Sequence, residues 1–308
     1  MATLTDVKGN EVAEMDWMAE GLGSIDQDTV EQLGAKFPFI QWVHGSSKNK
    51  KLGGLDYTGG WFMQEGQVDE EALRAAGWAP FTLAHKGGEE TAGWAMRDLT
   101  VSILLMRHCW VVQDGDQAAF FPWDQYDEAK AQGKPRGKTQ VLVVVKGLED
   151  VGPVVLTMRG STGQEFSNAR SGVLADFNRR LIQPANIAAA KRKIKARWAF
   201  RAFWLTVGPK RNADGTPAYD TVGTGSESSE VTLPAALGLP EKATEGDVRT
   251  AYVGRELLEL LNAIQAENAD WKAAWDTMGT VDTVSHDAEA ETEAEVAALA
   301  HEKEELPF

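Results

Sequence analysis

Short runs rich in β-branched and aromatic residues recur along the first two thirds of the chain: "FPFIQWVHG", "GGWFMQ", "WAPFTLAHKG", "LTVSILLMRHCWVV", "QAAFFPW", "QVLVVVKG", "PVVLTMRG", "RAFWLTVG" and "SEVTLPA". Gly, Pro, Asn and Asp bound them, so each reads as a strand closed by turn chemistry. Two longer stretches change period. The first opens at "STGQEF", where Thr162 and Glu165 have capping-box spacing, and places Phe166, Val173, Leu174, Phe177 and Leu181 on one helical face. The second follows Thr244 and Asp247 and runs through Val248, Val253, Leu257, Leu260, Leu261 and Ile264, with Trp271 and Trp275 one turn apart. After Thr280 the apolar periodicity fades into a charged, alanine-rich segment of low complexity.

This pattern predicts an α+β protein: a mainly antiparallel, OB-like sheet or small barrel, two amphipathic helices packed on it, and a disordered acidic C-terminal tail. The expected division is an N-terminal extension (1–30), a body (31–280) and the tail (281–308). A chain of 308 residues with 43% hydrophobic content can bury a large core. The polar, acidic N-terminus lacks the basic start and apolar run of an export signal. The longest apolar stretch carries Arg107 and His108 and is too short for a membrane helix. A cytoplasmic protein without membrane contact is expected. The single cysteine, Cys109, lies in that apolar run and reads as a buried thiol.

Charge divides the chain further. Of the formal −15, the tail carries −8, from nine acids against Lys303 alone. Within the acidic body, "KRKIKARWAFR" holds Lys191, Arg192, Lys193, Lys195, Arg197 and Arg201 without one acid. Two looser clusters, Lys48, Lys50 and Lys51 in "SSKNKKLGG" and Lys134, Arg136 and Lys138 in "GKPRGK", read as cationic loops.

The tail ends "HEKEELPF". An exposed terminal aromatic gains nothing unless a partner buries it, and Pro307 holds Leu306 extended, which lowers the ordering cost of docking. Glu304, Glu305, Leu306, Pro307 and Phe308 resemble the acidic C-terminal tip of bacterial and phage single-stranded DNA-binding proteins. The resemblance is confined to these last residues; glutamates stand where that family's tip usually has aspartates, Lys303 interrupts the acids, and no OB domain aligns with the body. It implies a tip that recruits replication, recombination or repair proteins, in a bacterial or phage-infected cell.

Binding single strands without sequence preference needs cations along the phosphates and flat side chains under the bases. The body has eleven tryptophans. In the run after Lys191, a strand with Trp198 and Trp204 on one face and Arg197 and Arg201 toward the other would supply both requirements; Trp42 and Trp61 are the next stacking candidates. A solvated helix face for the cations, and a core role for any single tryptophan, are the plain alternatives.

Enzyme chemistry finds little footing. No GxxxxGK[ST] phosphate loop occurs, and the five histidines form no HExxH or HxH pair, so neither ATP use nor a cofactor or metal is expected. Asp114, Asp116, Asp127, Glu128 and Lys130 only faintly suggest a nuclease set. The expectation is a non-enzymatic protein that coats and protects single-stranded DNA, with self-association left open. The alternatives are an ATP-independent single-strand annealing protein and an adaptor whose tail alone matters.

Overall fold

A computed structural model describes residues 37–45, 59–84, 90–114, 117–194, 197–222 and 229–272. The expected extension 1–30 and tail 281–308, and with them Glu304 to Phe308, lie outside the described residues, as do Lys48, Lys50, Lys51 and Lys195.

In chain order the elements are β1 (Phe39–Val43), β2 (Gly60–Gln64), α1 (Glu70–Ala75), β3 (Ala79–Ala84), β4 (Glu90–Met96), β5 (Leu99–Asp114), β6 (Gln117–Pro122), α2 (Tyr126–Gln132), β7 (Arg136–Val145) and β8 (Pro153–Arg159). Then come α3 (Gly160–Ser167), α4 (Val173–Phe177), a π turn (Asn178–Ile182), α5 (Gln183–Lys191), β9 (Leu205–Pro209), β10 (Asp220–Val222), β11 (Ser229–Val231), β12 (Pro234–Leu237), α6 (Glu245–Ala251) and α7 (Arg255–Glu267).

The architecture is α+β around one large sheet in the order β12-β9-β5-β7-β8-β1-β2-β4-β3, with β6 folded back on β5. Every neighbour is antiparallel except the parallel pair β1 and β8. β7 owes its central place to an unbroken apolar run: Val141, Val143 and Val145 enter one core cluster while Leu142 and Val144 enter another, so both faces are covered.

The sheet is curled. β2 and β9 stand five strand spacings apart in the order, about 24 Å if the sheet were flat. Yet the Trp61 indole on β2 donates to the Val207 carbonyl on β9 at 2.9 Å. A second tie crosses the same seam: Trp42 Nε1 donates to the Thr232 carbonyl at 3.0 Å, and the Thr232 hydroxyl accepts from Gly45 N at 2.9 Å. Gly59 closes up here with φ +80°, and a Cβ on it would lie 2.2 Å from Thr232 Oγ1. Among the described residues, side chains rather than a backbone ladder thus join the two sides of a half-barrel.

Both expected amphipathic helical regions exist, with corrections. The first is broken: α3 begins at Gly160 rather than at a Thr162 cap, residues 168–172 interrupt it, and α4, the π turn and α5 follow. Phe166, Phe177, Leu181, Ile182 and Ala185 fill the concave face of the sheet. The second region divides at Tyr252 to Gly254 into α6 and α7; Thr244 and Asp247 form a true capping box. Leu261 and Trp271 cover the opposite face against Leu104, Leu142, Val144 and Val155. Arg107 holds this end down, donating to Gln140 Oε1 at 2.8 Å and to the Trp271 carbonyl, with its guanidinium 3.8 Å over the Trp271 ring. Burial lowers the Arg107 pKa to about 10. Cys109 is a buried thiol whose Sγ lies 3.7 Å from the Lys138 carbonyl.

Candidate nucleic-acid interface

α5 ends in a cationic turn. Its interior, "IAAA", is good helix-forming sequence, and the stop comes from a Schellman arrangement: Lys193 N donates to the Ala190 carbonyl and Ile194 N to the Ala189 carbonyl. Lys193 takes the left-handed position with φ 60°, where glycine is the usual residue, at a cost on the order of 1 kcal/mol. The turn throws Lys191, Arg192, Lys193 and Arg197 into solvent, all four exposed. Arg192 pairs with Glu245 of α6 at 2.6 Å, while Lys191, Lys193 and Arg197 make no ion pair among the described residues. Arg201 lies apart, half-buried and donating to Asn262 Oδ1.

The expected strand through Trp198 and Trp204 is not there. The chain passes residues 197–199 without regular structure, makes a 3-10 turn at Phe200–Ala202, and becomes extended only toward β9. The reason is a long-range aromatic cluster: Trp198 packs edge-on to Phe203 (5.6 Å) and Tyr252 (5.5 Å), and Phe203 forms an isolated bridge to Tyr252. Asn186 locks the approach, accepting from Trp198 N at 2.7 Å. Trp198 keeps part of its ring at the surface beside the cationic turn. Trp204 is half-buried elsewhere, with Lys146 Nζ 5.9 Å from its ring.

Three other candidates are corrected outright. Trp42 and Trp61 are interior, 9% and 1% exposed, and pack edge to face on each other at 5.0 Å. Their faces are used by the core, so no base can stack on them. Lys138, at 3% exposure, is buried on the sheet with its ammonium 5.0 Å from the Phe120 ring, and no phosphate reaches it. Lys134 is exposed and Arg136 half-buried, but they sit near a separate small cluster in which Trp110 stacks on Trp123 at 4.1 Å over Ala129 of α2.

Sequence reasoning missed the groove beside the cationic turn. About 250 Å³ in volume, it lies between α5, the turn and α6, with Ala185, Ala188, Trp198, Val248 and Tyr252 among its lining. Ile194, 48% exposed, forms a wall, and Arg192, Glu245 and Arg249 stand at its rim. The available signal was the alanine stripe of α5 followed by an isoleucine among lysines. Among the described residues, no group of three or more His, Cys, Asp or Glu is placed to hold a metal, and no helix is long and apolar enough to cross a membrane. No protein-family model, curated protein or solved structure matches the chain.

Proposed function

We propose that the chain binds single-stranded DNA through the cationic turn 191–197, coats and protects it without chemistry, and recruits replication, recombination or repair proteins through Glu304 to Phe308. The half-barrel would serve as the OB-like platform, in a bacterial or phage-infected cytoplasm. The observation that carries the reading is the concentration of four solvent-facing cations on one turn of an acidic protein, beside the partly exposed ring of Trp198. Cations of this kind attract a polyanion and release its counterions, and one flat ring gives a base somewhere to stack.

Titration with labelled single-stranded and duplex oligonucleotides at two salt concentrations tests it. Tighter binding to the single strand, weakened by salt, is expected; no salt-sensitive binding would leave the adaptor reading. A companion assay mixing complementary strands distinguishes coating from annealing, because a coating protein slows their pairing and an annealing protein speeds it.

A further inference from the structure

We infer that the groove between α5 and α6 takes one unstacked guanine base, which gives strand binding at the cationic turn a preference for guanine. The inference rests on the strand-binding reading and extends it by naming the nucleotide that the site selects.

A nucleobase is a flat ring system with apolar faces and a polar edge, and the groove has the complementary distribution. Its walls are the small Ala185 and Ala188, Val248, and the partly exposed rings of Trp198 and Tyr252. Edge-on packing of Trp198 against Tyr252 at 5.5 Å and against Phe203 at 5.6 Å fixes the aromatic wall in advance, so little side-chain freedom is lost when a ring enters. The polar groups stand at the rim, where Arg192, Thr244, Glu245 and Arg249 are exposed. A volume of about 250 Å³ falls below the roughly 300–1,000 Å³ of drug-sized sites and suits a ligand of one ring system. An apolar side chain would fill the floor and leave this charged rim without a role.

Glu245 discriminates among the bases. Its Oε1 accepts from Arg192 at 2.6 Å, while Arg249 stands at 3.7 Å, beyond hydrogen-bond distance. A carboxylate has about four acceptor sites, so most of them stay open to a ligand. Guanine presents two parallel donors, N1–H and N2–H, on one edge, and the acceptors O6 and N7 on the next. The donors match the carboxylate and the acceptors match a flanking guanidinium. Adenine and cytosine offer a single amino group and thymine a single N–H, so each leaves one carboxylate oxygen unmatched. Asp247, the other aspartate or glutamate in the first turn of α6, is committed to the Thr244 cap.

The groove and the turn are continuous. Arg192 and Ile194 belong to both, so a nucleotide seated in the groove keeps its phosphate beside the exposed Lys191 and Lys193. Ile194, 48% exposed at the lip, offers apolar contact to the sugar or to the neighbouring base. Taking a base out of its stack costs least in a strand that is already single, so the same groove favours single strands over duplex.

The test measures, by fluorescence anisotropy, binding of the full-length protein to labelled oligo-dT and to the same oligonucleotide carrying one central guanine, adenine, cytosine or hypoxanthine. Guanine should tighten binding at least fivefold over thymine, and hypoxanthine, which is guanine without its 2-amino group, should lose most of that gain. Glu245→Gln should abolish the guanine gain while leaving oligo-dT affinity unchanged or tighter, because it releases Arg192 to the phosphates; a merely structural role for Glu245 would not separate the two. Ala188→Leu, which fills the groove from a half-exposed position of α5, should abolish the gain as well. Oligo-dT bound equally well with and without guanine, a gain that hypoxanthine retains, or a gain that survives both substitutions would each overturn the inference and leave the strand-binding reading standing. Absence of binding to every oligonucleotide would overturn both. A dimer in sedimentation that Ile194→Asp converts to monomer would assign the groove to a second copy and likewise overturn the inference.

Discussion

Replacing Lys191, Arg192, Lys193 and Arg197 with Ala should remove a defined part of the salt dependence of strand binding. On single strands each phosphate contact contributes about 0.7 to the slope of log affinity against log salt. Four contacts therefore correspond to a slope of about −2.8, or roughly 50-fold in affinity for a fourfold rise in salt. That is an upper figure, because Arg192 must exchange Glu245 for a phosphate. The structure sets which residues count. Lys138 is buried and Arg201 is engaged with Asn262, so Lys138→Met should leave the slope unchanged. Fluorescence anisotropy of a labelled oligonucleotide at four salt concentrations measures it, with circular dichroism confirming the fold of each variant. A change in slope smaller than one contact, with the quadruple variant folded, would show that the turn is not where the strand runs.

Two further outcomes follow from the interior. Trp61→Phe removes the indole bond to Val207 and should cost about 1–3 kcal/mol in urea unfolding, and Trp61→Ala about 3–5 kcal/mol; smaller losses would mean that the seam is not closed through this ring. Glu165 titrates above the usual carboxylate range, chiefly through burial and then through the neighbouring Asp220 and Asp176, with Lys210 pulling the other way. A raised pKa favours the protonated form in the fold, so stability from this group is present at acid pH and lost as pH rises through the folded value. Glu165→Gln should therefore raise the urea midpoint at pH 7, with the advantage shrinking toward pH 4; an advantage that grew on acidification would refute this sign.

Much of the sheet was legible because a strand's burial is written locally. The runs at β1, β2, β3, β5, β6, β7 and β8 are each apolar over their own length and bounded by turn residues. β4 escaped notice because "ETAGWAM" mixes exposed polar positions with a glycine that packing demands: a Cβ at Gly93 would lie 2.3 Å from the Met63 carbonyl. α1 and α2 are too short for periodicity to register. The site was harder to read. The alternation of aromatic and basic residues from Arg197 to Trp204 imitates a strand, but Tyr252, about fifty residues away, gathers Trp198 and Phe203 into one cluster and bends the chain. Trp42 and Trp61 near cations and glycines gave no sign that carbonyls at Thr232 and Val207 would claim their indoles. The exposed cations of the turn were visible, since six charges without an acid have few ways to be buried.

Closure of the half-barrel by Trp42 and Trp61 has a consequence for how the chain is made. These ties join residues 190 and 146 positions apart, and β1 finds its parallel partner only when β8 has been synthesised. Contacts this distant slow folding, because a long loop is closed before its energy is recovered. At about 5–20 residues per second, roughly 10–40 s separate the emergence of Trp42 from that of Thr232. Throughout that interval the two tryptophans have no completed interior to enter. The ties that close the seam are therefore unavailable to the N-terminal strands on their own, and a nascent chain halted before residue 232 presents to chaperones and proteases two tryptophans that the finished protein buries.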